Sequence, residues 1–195
     1  MPIDNMQRPT SYIEWGSILA GTVLALALSL VLLQFGAAVG VADLDDMRTN
    51  VPSREAMIGG GIYVLVSTLI AFTLGGYVAG RMRAPVAGSP IHEREVRDGI
   101  HGLMVWATGT VLMAVGAFLA AWLTRYGMTQ AEAEVAKDVA KEVVQQRHKI
   151  AVILAFAAGA TSLVTAVSAF AAATKGGDHR DNMVDHSRQI SFRRK

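Results

Sequence analysis

The chain contains no cysteine. That excludes disulfides, thiol nucleophiles and cysteine-ligated metals, and it leaves the redox compartment unreadable. Charge is scarce as well. Asp, Glu, Lys and Arg make up 17% of the residues, against roughly 25% in soluble domains. The net charge of +2 is small, so bulk charge gives no support to a nucleic-acid partner. Catalytic motifs are also missing. No HExxH occurs, because His92-Glu93 lacks the second histidine at the required spacing, and no nucleophile–base constellation stands out. The expectation is a protein that is not an enzyme and uses no cofactor.

What is abundant is apolar sequence. Hydrophobic residues are 52% of the chain and the mean hydropathy is +0.35. Four stretches, 15–42, 56–80, 99–124 and 150–174, hold no Asp, Glu, Lys or Arg. Each exceeds the about 20 residues that carry a helix across the hydrocarbon. This composition predicts an all-α integral membrane protein with four transmembrane helices. Residues 1–14 form an N-terminal segment before the transmembrane domain of 15–174, and 175–195 form a polar, basic tail. The first run is longer than a signal-peptide core, and Arg8 is the only basic residue before it. A passable cleavage site at Gly40-Val41-Ala42 is therefore expected to remain uncut.

Four crossings put both termini on one side. That side, with the loop 81–98, carries eleven of the 18 lysines and arginines. Basic residues are retained in the cytoplasm, so both termini are expected there. Tyr12, Trp15 and Tyr77 fall at the inner ends of helices, and Trp122 and Tyr126 at an outer end, where amphipathic rings favour the interface. Arg81 and Arg83 are expected among lipid headgroups and to set topology, as are Arg193, Arg194 and Lys195 of the closing SFRRK.

The second outer segment starts with a capping box, Thr129 to Glu132. Val135, Val139 and Val143 then repeat every fourth residue among charges. This pattern predicts an additional amphipathic outer helix over 129–148 whose thin stripe needs a partner. It either runs unbroken into the fourth span or bends near Gln145 to His148. GTVLALAL at Gly21 and GTVLMAVG at Gly109 are a weak internal echo.

Small residues recur on every span. Ser17, Gly21, Ala25 and Ser29 are spaced by four, Gly36 and Gly40 form a GxxxG, and Gly76 and Gly80 form another. Gly102, Gly109 and Gly116 repeat every seven residues, and the fourth span steps through alanines from Ala151 to Ala173. Lipid tails are as apolar as leucine, so membrane helices associate by close packing, and small residues permit it. These positions are expected to pack the four-helix bundle, and any surplus to hold a second copy or another membrane-protein subunit. GGYVAGRMR, from Gly75 to Arg83, is read the same way. A phosphate-cradling turn follows a strand and opens a helix, whereas this stretch closes an apolar one.

No span contains a charged residue, whereas proton-coupled transporters place ionisable groups at mid-membrane. The deepest polar side chains are hydroxyls and Gln34. They suit packing, or else the lining of an oligomeric pore. His101 beside Arg97 and Asp98 is either an interfacial residue or a pH sensor. A third reading gives Arg81, Arg97 and His101 contacts with a transporter or enzyme at the cytoplasmic face. Asp178, His179, Asp181, Asp185 and His186 match no closed zinc pattern, so no metal is expected.

WGSILAGTVLALAL, GGYVAGRMR, EVRDGIHGLMVWATG and GGDHRDN together resemble a family of small, uncharacterised proteobacterial four-helix inner-membrane proteins, sometimes labelled as similar to a phosphonate-utilisation protein. The resemblance covers the chain from Trp15 to the tail, except for 129–148. It implies four helices and an inner-membrane location, and no activity. The leading expectation is a structural or accessory subunit, or a self-assembling homo-oligomer.

Overall fold

A computed structural model gives the fold. It describes residues 12–42, 54–85, 88–127 and 130–182, with side chains described for 12–38, 58–85, 88–127, 152 and 155–182. The described residues are helical apart from short connections. The helices are α1 (Trp15–Ala42), α2 (Arg54–Met82), α3 (Ile91–Gly127) and α4 (Gln130–Asp181). All four contain a stretch long and apolar enough to cross a membrane, which is the architecture of a multi-pass membrane protein.

Local chemistry sets the helix ends. α2 stops at Met82, two residues before the Ala84-Pro85 pair. A residue preceding proline is pushed out of the helical region. Gly88 turns the loop with φ of 81°, a conformation that costs little only for glycine. The Pro90 carbonyl then accepts the Arg94 N–H at 3.2 Å and opens α3. Proline fits there because the first turn of a helix needs no N–H from it. The charged stretch 91–98 is thus the first two turns of α3.

α4 has 52 residues, about 78 Å at 1.5 Å per residue. The expected outer helix is therefore not a separate element. Its backbone is the beginning of α4, and the side chains of Val135, Val139 and Val143 lie outside the described residues. At the other end α4 continues through Gly176-Gly177 to Asp181, where the composition had suggested a tail. Its last two turns dock on α2 and α3, and that contact keeps the glycine pair helical.

α2 and α3 each touch all three other helices, while α1 and α4 lie on opposite sides without contact among the described residues. The core is short. Ile18, Ala25, Phe72, Ala79, Val105 and Ala169 form it, with Ile13, Met104 and Trp106 packed against it. All sit in the half of the bundle that contains the start of α1 and the end of α4, hereafter the polar end. In the other half Phe118, Leu123, Tyr126 and Phe156 are each more than 60% exposed. Such exposure carries no hydrophobic penalty against lipid tails.

Backbones meet in the packed half. A Cβ on Gly21 would strike the Gly75 carbonyl, and one on Gly75 would lie 2.6 Å from the Gly21 oxygen and 2.9 Å from Ala25 Cβ. Gly76 and Gly102 both face the Ala169 carbonyl, and Gly80 faces that of Ala173. α4 is thus seated backbone to backbone on α2 and α3. Gly36 and Gly109 accommodate the rings of Tyr63 and Phe72. Ser17 is buried and its hydroxyl donates to the Glu14 carbonyl at 2.9 Å. Gly116 differs: among the described residues no neighbouring atom lies within 4 Å of its Cβ position. The side chain at position 40 lies outside the described residues.

Candidate functional site

The polar end encloses a cluster of charges contributed by all four helices. Its centre is Asp98, on the second turn of α3. Arg83, just past the end of α2, donates its Nε–H to Asp98 Oδ1. Arg180, in the last turn of α4, donates from Nη2 to Oδ2 at 3.2 Å. The Arg83 side chain is 0% exposed and that of Asp98 3%. Arg83 was expected among lipid headgroups; its guanidinium is enclosed here instead. Among the described residues its Nη1 and Nη2 have no acceptor.

Arg180 does more than pair. Its Nη1 donates to the carbonyls of Gly80 at 2.8 Å and Arg83 at 3.0 Å. The last carbonyls of a helix have no partner within it, and the negative pole of its dipole favours a cation. The guanidinium of α4 therefore caps α2 while it neutralises a carboxylate of α3. Its Nε donates to Asp181 at 2.7 Å, and Asp181 also pairs with Arg94 at 3.1 Å. Gly177 makes this possible, because a Cβ there would overlap the Asp98 carboxylate. Beside it, a Cβ on Gly176 would overlap the Tyr77 carbonyl.

α1 joins through its lead-in. The Glu14 N–H donates to His101 Nε2 at 3.0 Å, and the ring's Nδ1–H donates to the Arg97 carbonyl at 2.7 Å. A backbone N–H is always a donor, so Nε2 is the acceptor and the imidazole is neutral. His101 is 0% exposed. The Glu14 carboxylate accepts the Ala84 N–H at 2.9 Å, tying α1 to the end of α2. Arg97 donates from Nε to the Tyr12 carbonyl at 2.9 Å and lies 4.8 Å from the centre of the Tyr12 ring, a cation–π arrangement. On the other flank the Tyr77 hydroxyl meets His179 Nδ1 at 3.2 Å.

Not all of these contacts weigh equally. Arg94 is 31% exposed on its side chain, and ion pairs near water contribute about 0–1 kcal/mol. Arg94→Ala is therefore expected to lower stability by less than about 1 kcal/mol, measured by thermal unfolding in detergent. The buried Asp98 pairings belong to a different class.

The contacts of this cluster clamp the four helices together, and the described residues hold no group of three metal-ligand side chains. Asp178 pairs with Lys175 at 3.0 Å. A groove of about 240 Å³ between α3 and α4 runs past Asp98 and is lined by Arg94, Glu95, Asp178 and Asp181.

Farther from the polar end the bundle opens into two clefts. One, of about 630 Å³, separates α1 from α3 and is lined by Leu26, Ser29, Leu33, Leu112, Gly116 and Ala120. The other, of about 460 Å³, lies among α2, α3 and α4 and includes Gly60, Gly61, Thr68, Thr110 and Ser162. Thr68 and Thr110 donate to carbonyls of their own helices at 2.8 Å. Gln34 is exposed on α1. Arg193, Arg194, Lys195, Asp185 and His186 lie outside the described residues.

No protein-family model matches the chain, and neither a curated protein nor a solved structure does.

The glycine spacings are visible in the sequence, whereas the cluster is not: Arg83, Asp98 and Arg180 each lie beyond an apolar run, where composition reads as loop or tail. One signal was available. No proline follows Pro90, so nothing obliged the fourth helix to stop at Thr174.

Proposed function

We propose that this chain is a non-enzymatic protein of the bacterial inner membrane with both termini in the cytoplasm. It acts as a structural or accessory subunit of a membrane complex, or assembles with itself. The observation that carries this reading is the contrast between the two halves of the bundle. The polar end is closed by backbone contacts and buried charge. The other half leaves Gly60, Gly61, Gly116 and Gly159 with no atom of the described residues within 4 Å of a Cβ. Small helix faces allow the close approach on which membrane association depends, and among the described residues no atom of another helix approaches these four positions closely. The resemblance to proteobacterial inner-membrane proteins and the basic loop 81–98 support the same reading.

Two tests bear on it. Phosphatase fused after Asp46 should be active, and after Gly88 inactive; the reverse would overturn the topology. Gly60→Leu and Gly116→Leu should leave the thermal midpoint within a few degrees of wild type while reducing assembly size on a sizing column. Unchanged assembly in both variants would count against these faces as the contact. A ring of copies around a wet axis would instead support a pore.

A further inference from the structure

We propose that His101 makes the attachment of the lead-in segment Tyr12–Glu14 pH-dependent, and that protonation of its ring releases the start of α1. Both ring nitrogens are already committed in the neutral form, Nδ1–H to the Arg97 carbonyl and Nε2 to the Glu14 N–H. A proton can arrive only at Nε2. It turns that acceptor into a second donor facing the donor of Glu14, so the 3.0 Å contact becomes repulsive.

The surroundings compensate only in part. Among the described residues the charged groups near the ring are Glu14 from the lead-in, Arg83 from the end of α2 and Asp98 from α3, and Arg97 meets the ring through its carbonyl. α4 contributes Arg180, one step away on Asp98. Both carboxylates are engaged, Glu14 by the Ala84 N–H and Asp98 by two arginines. A new cation in this enclosed position therefore adds to Arg83, while the two carboxylates keep the partners they already hold. The released state hydrates the imidazolium and the Glu14 N–H, so acid favours release. In the released state the ring meets water, where an unperturbed imidazole titrates near pH 6.5, so the linkage acts as the pH falls below that value.

The absence of cysteine makes a single introduced thiol a unique reporter. Ile13 packs against the core beside Glu14. In proteoliposomes, maleimide labelling of Ile13→Cys, normalised to the exposed Glu93→Cys, should rise about tenfold from pH 8 to pH 5. In an Ile13→Cys/His101→Gln background the ratio should stay flat, because the amide oxygen accepts the Glu14 N–H and does not titrate. A flat ratio with His101 present overturns the proposal, and so does an equal rise with glutamine. Should the glutamine variant fail to fold, ¹⁵N-histidine NMR of the full chain in nanodiscs decides. The His101 ring should be neutral with its proton on Nδ1 at pH 8, and a cationic form should grow in as the pH falls; a ring protonated on Nε2 at pH 8, or no cationic form before the bundle unfolds, overturns the proposal.

Discussion

Asp98→Ala is expected to destabilise the bundle by about 3–5 kcal/mol, the range for breaking a buried ion pair by removing one partner. The carboxylate stands between Arg83 and Arg180, whose side chains are 0% and 11% exposed. Without it two guanidinium groups face each other in a largely enclosed site, and the start of α3 loses its hold on both α2 and α4. Asp98→Asn keeps the shape and removes the charge, so it should be nearly as damaging. Arg83→Met/Asp98→Leu/Arg180→Met should be milder than Asp98→Ala alone, because no charge is left stranded. Recovery will be incomplete, since Arg180 also caps the carbonyls of Gly80 and Arg83. Equilibrium unfolding in mixed micelles with increasing dodecyl sulfate measures all three. A loss under about 1 kcal/mol in Asp98→Ala would mean that the carboxylate is not the buried keystone of the polar end.

The second large effect is expected from one methyl group. In Gly80→Ala the added Cβ meets the Ala173 carbonyl, a backbone atom that cannot swing aside as a side chain would. Overpacking of this kind costs about 1–3 kcal/mol or more. Here it also moves the carbonyl that Arg180 caps, so the upper end of the range or beyond is expected. Gly116→Ala makes the opposite case. No atom of the described residues lies within 4 Å, and alanine is favoured over glycine in a helix by about 1 kcal/mol. Its thermal midpoint should stay level or rise. Equal midpoints for Gly80→Ala and wild type would remove the α2–α4 contact as described.

The helices were legible because their signal is local. Four uncharged runs exceed the membrane thickness, and each gives a helix at nearly the expected place. The small-residue spacings were legible as a class, yet not position by position. Gly80 and Gly116 look alike in sequence, and only the tertiary arrangement gives one a neighbour. Gly75, Gly99, Gly176 and Gly177 each have an atom within 2.6 Å of the Cβ position although they stand outside the small-residue repeats. The charge cluster was illegible for a related reason. Arg83, Asp98 and Arg180 are far apart in the chain, and each sits past an apolar boundary where composition reads as surface. They become a buried unit only because α4 continues past Thr174 and two glycines let it settle against Asp98. His101 stands out by its titration range and Arg97 lies one turn back on the same helix, but Glu14, whose N–H fixes the tautomer, precedes α1 and is 87 residues away.

The most direct test of the assembly reading is the intact mass of the particle extracted in mild detergent or directly into nanodiscs, with identification of everything that travels with it. The expected result is a discrete mass above that of the 20.7 kDa chain, made of two or more copies or of one copy with a stoichiometric membrane-protein partner. A single copy carrying lipid alone, at every detergent and concentration tried, would contradict it.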